Sequence, residues 1–242
     1  LLAAAIWLKQ NEDKLPGPVS LVFQPAEEGG HGAKKMLDKG ALKDVDFIYG
    51  WHNWPAIKFG QAVCPDGVVM AGNGTFHIDI KGVGGHSSQP EISKDPVLTA
   101  SAITMALQQI VSRRIAPQKA GVVSVTSIDA RSGLTTIPQE ARIEGSIRIP
   151  DLQTRDEVAK SIKEISENTA KAYGVEAIVE FRNRYSPTIN HDTAASNMRQ
   201  KIKETLGDDW KSDIATPIMA SEDFSYYLQE IPGAFALIGS ND

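Results

Sequence analysis

The stretch that decides the fold is VSLVFQPAEEGG at residues 19–30, an apolar run followed by two adjacent carboxylates, Glu27 and Glu28. The apolar part, residues 19–23, predicts a buried strand with the acids just beyond its end. Neighbouring glutamates can share metal-assisted hydrolysis, one binding the cation and the other taking a proton from water. A second interpretation stays open, because acids ahead of a helix favour its positive end by about 0.3–1 kcal/mol.

The segments around this stretch alternate between helix and strand. We predict helices at residues 1–10 and 32–39 and a second strand at 45–50. This alternation is typical of a βαβ unit in a parallel sheet, and open sheets of this kind bind ligands at the carboxyl ends of their strands.

His52 follows the second predicted strand, in the sequence WHNWP at residues 51–55, where we expect Pro55 to end regular structure. We therefore expect His52 at the same sheet edge as Glu27 and Glu28, where an imidazole can bind metal beside a carboxylate. Because tryptophans lie on both sides of it, a packed structural histidine is the alternative.

From residue 74 the order of elements becomes strand, helix, strand, strand, helix, strand. We place these elements at residues 75–81, 95–114, 122–130, 141–149, 154–173 and 175–182. This βαββαβ order is that of a ferredoxin-like domain, in which two helices cover one face of a four-stranded antiparallel sheet.

The last part of the chain returns to helix and strand. We predict helices at residues 193–206 and 221–228 and a strand at 234–238 that gives way to a loop. Ser221 is interpreted as the cap of its helix, with Glu222 and Asp223 in the first turn.

These patterns predict an α/β fold in which one domain interrupts another. The α/β domain takes residues 1–73 and 185–242, and the ferredoxin-like α+β domain takes residues 74–184. The two crossing points carry Gly or Pro, as linkers between domains often do.

Composition excludes several classes of function. A formal net charge of -5 disfavours a nucleic-acid partner, which needs a basic face, and so disfavours an RNA-binding ferredoxin-like module. No apolar run approaches the roughly 20 residues of a membrane span. The single cysteine, Cys64, permits no intrachain disulfide, which favours a cytoplasmic location.

Two further positions are candidates for substrate contacts. His86 lies in the glycine-rich loop GVGGHSSQP at residues 82–90, where it can donate a hydrogen bond to an oxyanion, although such loops are often plain turns. Arg148, on a predicted strand, can clamp a carboxylate with two hydrogen bonds or serve as a surface charge.

Spaced motifs along nearly the whole chain resemble the M20 metallopeptidase family, and within it the amidohydrolase branch of hippurate hydrolases, N-acetyldiaminopimelate deacetylases and auxin-conjugate hydrolases. The motifs are FQPAEEGG at 23–30, GWHNWP at 50–55, GGHSSQP at 84–90, GSIR at 145–148 and SEDFS at 221–225. Together they are a specific signal.

The resemblance implies a zinc-peptidase-like catalytic domain interrupted by a ferredoxin-like lid that commonly mediates dimerisation. It implies that Glu27 is the general base, that Glu28 and His52 bind metal, that His86 polarises the scissile carbonyl and that Arg148 contacts the substrate's carboxylate. The expected cofactor is a pair of divalent ions, Zn, Mn or Co, and the expected substrate an N-acyl amino acid or short peptide.

The chain also departs from the family pattern. It lacks the upstream Cys-Gly-His-Asp-Gly-His-type segment and the later histidine that supply further ligands, and Thr135 stands where the family usually has Asn. Cys64 falls after the His52 motif and does not replace the missing cysteine. We expect both ends to be truncated, and a non-catalytic dimerisation or binding fragment with an incomplete metal site is the alternative function.

Overall fold

The computed structural model describes residues 1–241 and divides them into two compact units, residues 1–43 and residues 44 onward. Asp242, the last residue of the predicted α/β domain, lies outside the described residues. The helices are α1 (Leu2–Gln10), α2 (Glu27–Gly30), α3 (Gly32–Asp38), α4 (Pro96–Leu107), α5 (Leu152–Ala172), α6 (Asp192–Leu206) and α7 (Ser225–Glu230).

The strands lie in the second unit, most of them in groups between the helices. They are β1 (Ile48–Lys58), β2 (Ala62–Val63), β3 (Gly67–Met70), β4 (Gly72–Lys81), β5 (Gly85–His86), β6 (Val122–Asp129), β7 (Thr136–Ile137), β8 (Glu140–Ile149), β9 (Glu176–Asn183), β10 (Thr188–Asn190) and β11 (Gly233–Asn241).

In the first unit, α1 and α3 lie where the sequence predicts them, but the strand predicted at residues 19–23 is wrong. Residues 18–26 belong to no helix or strand, and Val19 and Phe23 stay 53% and 58% exposed. An apolar, β-branched run favours extended backbone, but a strand also needs a neighbour that pairs its N–H and C=O groups.

A three-stranded sheet in the second unit has the order β1, β11, β2, with β1 and β11 parallel. The βαβ pairing predicted between residues 19–23 and 45–50 is wrong, because residues 19–23 form no strand and the parallel partner of β1 is β11. The predicted end of this strand at residue 50 is wrong, because β1 continues through Pro55 to Lys58. The register shifts between Trp54 and Lys58, which accommodates a proline that cannot donate to the ladder.

The four-stranded sheet of the second unit confirms the predicted βαββαβ order. Its strands run antiparallel in the order β6, β8, β4, β9, and α4 and α5 bring their apolar residues into one core with the sheet. That core includes the fully buried Ile78, Ile103, Ile143 and Ile162. On β8 the burial alternates, so that Ile147 and Ile149 face the core while Arg148 lies on the open face.

Aspartates set the beginnings of both helices that cover this sheet. Asp95 caps α4 by accepting from the backbone N–H groups of Val97 and Leu98 at 2.7 and 3.2 Å, and Asp151 caps α5 by accepting from Thr154 N–H at 2.7 Å. The predicted helix at residues 95–114 is α4 followed by a π-helical turn at Ile110–Arg114.

The end of the chain differs from the prediction in two places. α7 begins at Ser225 with Phe224 at its cap position, so Ser221 is not a helix cap and Glu222 and Asp223 are not in the first turn. β11 extends to Asn241 instead of giving way to a loop after residue 238.

The structure also contains two small antiparallel sheets that the sequence does not predict. β10 pairs with β3, and β5 pairs with β7. Strands of two or three residues carry no periodicity that a sequence reveals. No helix among residues 1–241 combines the length and the apolar character needed to cross a bilayer.

Candidate active site

The two glutamates of the first unit lie in a tight turn with unusual backbone angles. Ala26 and His31, on either side of it, adopt left-handed conformations with φ of 57° and 53°, which cost energy for residues with a Cβ and cluster at functional sites. Gly29 has φ of 94°, a value that glycine tolerates. The Ala26 carbonyl closes the turn by accepting from Gly30 N–H and Gly32 N–H at 3.1 and 3.3 Å.

This turn argues against the helix-dipole interpretation of the acids. The glutamates precede α3 by several residues, and the first turn of α3 contains no acid. Their own helix, α2, spans only Glu27–Gly30 and has non-helical angles at Glu28 and Gly29, so it carries little macrodipole. Glu27 is half-buried and Glu28 is exposed.

His52 lies inside β1, opposite Leu237 of β11, instead of in a loop after the strand. Its Nδ1 is 2.6 Å from the carbonyl oxygen of Asn53, and its ring meets Trp54 edge-on at 5.9 Å between centroids. Because a carbonyl oxygen only accepts, the tautomer of the neutral ring that fits this contact carries its proton on Nδ1 and has its lone pair on Nε2. A backbone carbonyl is one of the usual partners for the second ring nitrogen of a metal-binding histidine, beside carboxylates and water.

His86 is held in the small sheet that β5 and β7 form, where it faces Thr136. The backbone N–H of Ser88 donates to His86 Nδ1 at 3.2 Å, and Ser88 Oγ is 2.7 Å from the same nitrogen. A backbone N–H can only donate, so Nδ1 is unprotonated and the neutral ring carries its proton on Nε2. The exposed His86 therefore presents an Nε2–H donor.

Arg148 contacts Ser221, which the sequence predicted to be a helix cap. Its Nη1 donates to Ser221 Oγ at 2.9 Å, and this contact joins the four-stranded sheet to the segment before α7. Arg148 is half-buried. The motifs at residues 145–148 and 221–225 therefore meet through a hydrogen bond, which a helix cap at Ser221 does not predict.

Glu222 and Asp223, which the sequence predicted to lie in the first turn of a helix, are buried acids. They are 7% and 0% exposed, and Glu222 accepts from Phe224 N–H at 3.3 Å. The pKa of Tyr227 is raised to about 12, mainly by burial and to a smaller extent by the negative charge of Asp223. The aromatic residues that follow the acids were the available signal that this segment packs in the interior.

Cys64 lies in a cleft whose lining includes none of the predicted site residues. The cleft has a volume of about 490 Å³ and is also lined by Arg199 and Trp210. Burial raises the pKa of the Cys64 thiol to about 11, which makes it a poor nucleophile at neutral pH.

The predicted site residues are divided between the two units, Glu27 and Glu28 in the first and His52, His86 and Arg148 in the second. A family model described as Peptidase family M20/M25/M40 matches residues 1–242. The chain belongs to this family, as the motifs predicted.

Several curated relatives of this chain have names that state what they act on. An IAA-amino acid hydrolase (ILR1-like 2) of Arabidopsis thaliana is 38% identical over all of this chain and 55% of its own length. An N-acetyl-L-cysteine deacetylase of Bacillus subtilis is 36% identical over all of this chain and 57% of its own. A hippurate hydrolase of Campylobacter jejuni is 36% identical over 98% of this chain and 62% of its own.

A solved structure supports the same assignment. A protein of Bacillus subtilis, described as a dinuclear metal-binding peptidase of the M20 family, is 30% identical with a TM-score of 0.80. The match covers 98% of this chain and 60% of that one. The chain thus spans between 55% and 62% of the length of these four relatives.

Proposed function

We propose that this chain is part of a metal-dependent amidohydrolase that cleaves the amide bond of an N-acyl amino acid or a short peptide. The observation that carries the proposal is the family match over residues 1–242, joined to relatives named for IAA-amino acids, N-acetyl-L-cysteine and hippurate. Each of these compounds contains an amide that joins an acyl group to an amino acid.

The donor chemistry of the predicted ligands fits a divalent ion. His52 offers an Nε2 lone pair because its Nδ1 faces the Asn53 carbonyl, and Glu28 offers an exposed carboxylate. Mixed imidazole and carboxylate sites accept Zn, Mn or Co, and the dinuclear relative supports two ions in the full-length protein. When bound, the metal supplies Lewis acidity that activates water and polarises a carbonyl.

The other residues have separate roles in the proposal. Glu27 accepts the proton of the attacking water and returns it to the leaving amine. His86 donates its Nε2–H to the carbonyl oxygen as negative charge develops there, an assignment that its contact with Ser88 N–H supports. Arg148 binds the carboxylate of the amino-acid part through its guanidinium.

Assembly and location complete the proposal. The ferredoxin-like sheet and its two helices serve as a lid and join two copies into a homodimer, as the family resemblance implies. A cytoplasmic location is consistent with the single cysteine, Cys64, which is free and buried.

Metal removal and restoration test the proposal. We expect the natural full-length protein to hydrolyse N-acetyl or N-benzoyl amino acids, to lose this activity on dialysis against a chelator and to recover it with Zn(II), Mn(II) or Co(II). Addition of Mg(II) is the control, and we expect it to restore little activity, since this ion prefers oxygen ligands to imidazole. Absence of hydrolysis in the metal-loaded protein would contradict the proposal and favour a non-catalytic dimerisation or binding module.

A further inference from the structure

Arg148 differs from the other arginine on the same face of the same strand. Arg142 gives its guanidinium to Asp79, with Nε and Nη2 donating to the two carboxylate oxygens at 2.6 and 2.8 Å. Arg142 is thus neutralised by a bidentate partner. Arg148 has no carboxylate partner among residues 1–241. Its side chain instead donates a hydrogen bond to Ser221 Oγ.

This contact leaves most of the guanidinium unused. Within residues 1–241 only Nη1 has a hydrogen-bond acceptor, which leaves the Nε and Nη2 edge able to bind an anion. The half-buried position of Arg148 makes such binding stronger than it is at an exposed surface, because solvent screening is lower. A carboxylate matches this edge with two parallel hydrogen bonds.

Ser221 is well suited to hold the arginine, because its own backbone is anchored. The three residues that follow it, Glu222, Asp223 and Phe224, are at most 9% exposed. The Phe224 ring packs against Phe235 of β11 and Tyr227 of α7, with centroids 4.9 and 5.3 Å apart. The hydroxyl of Ser221 is therefore presented from a packed segment.

We propose that Ser221 is a positioning residue for substrate binding, holding the Arg148 guanidinium with its free edge ready for the substrate carboxylate. The inference rests on the proposed function and deepens it, because it requires substrates with a free carboxylate. An arginine side chain has large rotamer freedom, and fixing it before binding removes part of that entropy cost from the binding step.

The test compares Ser221→Ala and Ser221→Thr with the natural full-length, metal-loaded protein. Each is assayed on an N-acetyl amino acid and on the corresponding amide, which lacks the carboxylate. We expect Ser221→Ala to raise KM for the acid about tenfold, the worth of one hydrogen bond to a charged group, with little change in kcat. KM for the amide should stay unchanged, and Ser221→Thr, which keeps the hydroxyl, should restore KM for the acid.

Two further variants separate positioning from general damage. Ser146→Ala changes a serine on the same face of β8, two residues before Arg148, and should leave KM for the acid within about twofold of the natural value. In an Arg148→Ala background, Ser221→Ala should add no further effect, because the double-mutant cycle then has no interaction left to remove.

The outcomes distinguish this inference from the proposed function. An unchanged KM in Ser221→Ala, an equal loss on acid and amide, or a full effect of Ser221→Ala without Arg148 would each overturn the inference. If the natural protein hydrolysed nothing, the proposed function would fail, and the Kd of the N-acetyl amino acid would then decide. A weaker Kd in Ser221→Ala supports the positioning role, and an equal Kd overturns it.

Discussion

A single hydrogen bond at His86 decides which of its ring nitrogens can act on a substrate. Ser88 N–H occupies Nδ1 at 3.2 Å, so the proton of the neutral ring lies on Nε2. The glycine-rich motif predicted an oxyanion contact but gave no tautomer, because the donor comes from the backbone two residues later. The role of His86 stays a prediction from the sequence, and the local fold adds the tautomer of the neutral ring.

At this residue we predict that His86→Ala lowers kcat on an N-acyl amino acid by roughly 10²–10³-fold, the usual effect of losing one oxyanion donor, with a smaller change in KM. Steady-state kinetics of the metal-loaded protein measure both constants. His77→Ala is the matched control, because this histidine on β4 pairs with Glu180 at 3.2 Å and has no proposed role in the reaction. A near-natural kcat in His86→Ala would remove His86 from the mechanism.

Among the elements, sequence predicted the long ones with a regular apolar pattern, including the four strands β4, β6, β8 and β9, although these pair with distant partners. α5 shows its helical spacing in Val158, Ile162 and Ile165, all buried. The run at residues 19–23 has an equally clear apolar pattern, yet it forms no strand because pairing is non-local. The start of α7 was misplaced for a related reason, since Ser221 is occupied by Arg148 from β8.

Gly145 lies on β8, an inner strand of the four-stranded sheet, where a larger side chain has no room. A Cβ at Gly145 would lie 2.2 Å from the Phe76 ring and 2.5 Å from the Ser124 carbonyl oxygen, so Gly145→Ala overpacks the sheet. We expect a loss of about 1–3 kcal/mol in the free energy of unfolding, measured by urea denaturation. Gly17→Ala, where no atom lies within 4 Å of the new Cβ, is the control. Equal stability of the two variants would show that β8 is packed less tightly than described.

For the whole molecule, the order of the motifs was the strongest sequence signal. The βαββαβ order was predicted and is present, and the family predicted from the motifs matches residues 1–242. The domain boundaries near residues 73 and 185 and the roles of the site residues stay predictions. Glu222 and Asp223 are an example of what the sequence does not reveal. The sequence shows only a capping pattern at these residues, whereas their burial depends on how the segment packs in the folded chain.

The most direct test of the account is the kcat/KM of Glu27→Gln on an N-acyl amino acid, measured with the metal content of the same sample. Glutamine keeps the size of the side chain but cannot accept a proton. We predict a fall of roughly 10²–10⁴-fold, the usual contribution of a general base, with circular dichroism and bound metal close to those of the natural protein. A near-natural kcat/KM at full metal content would contradict the account.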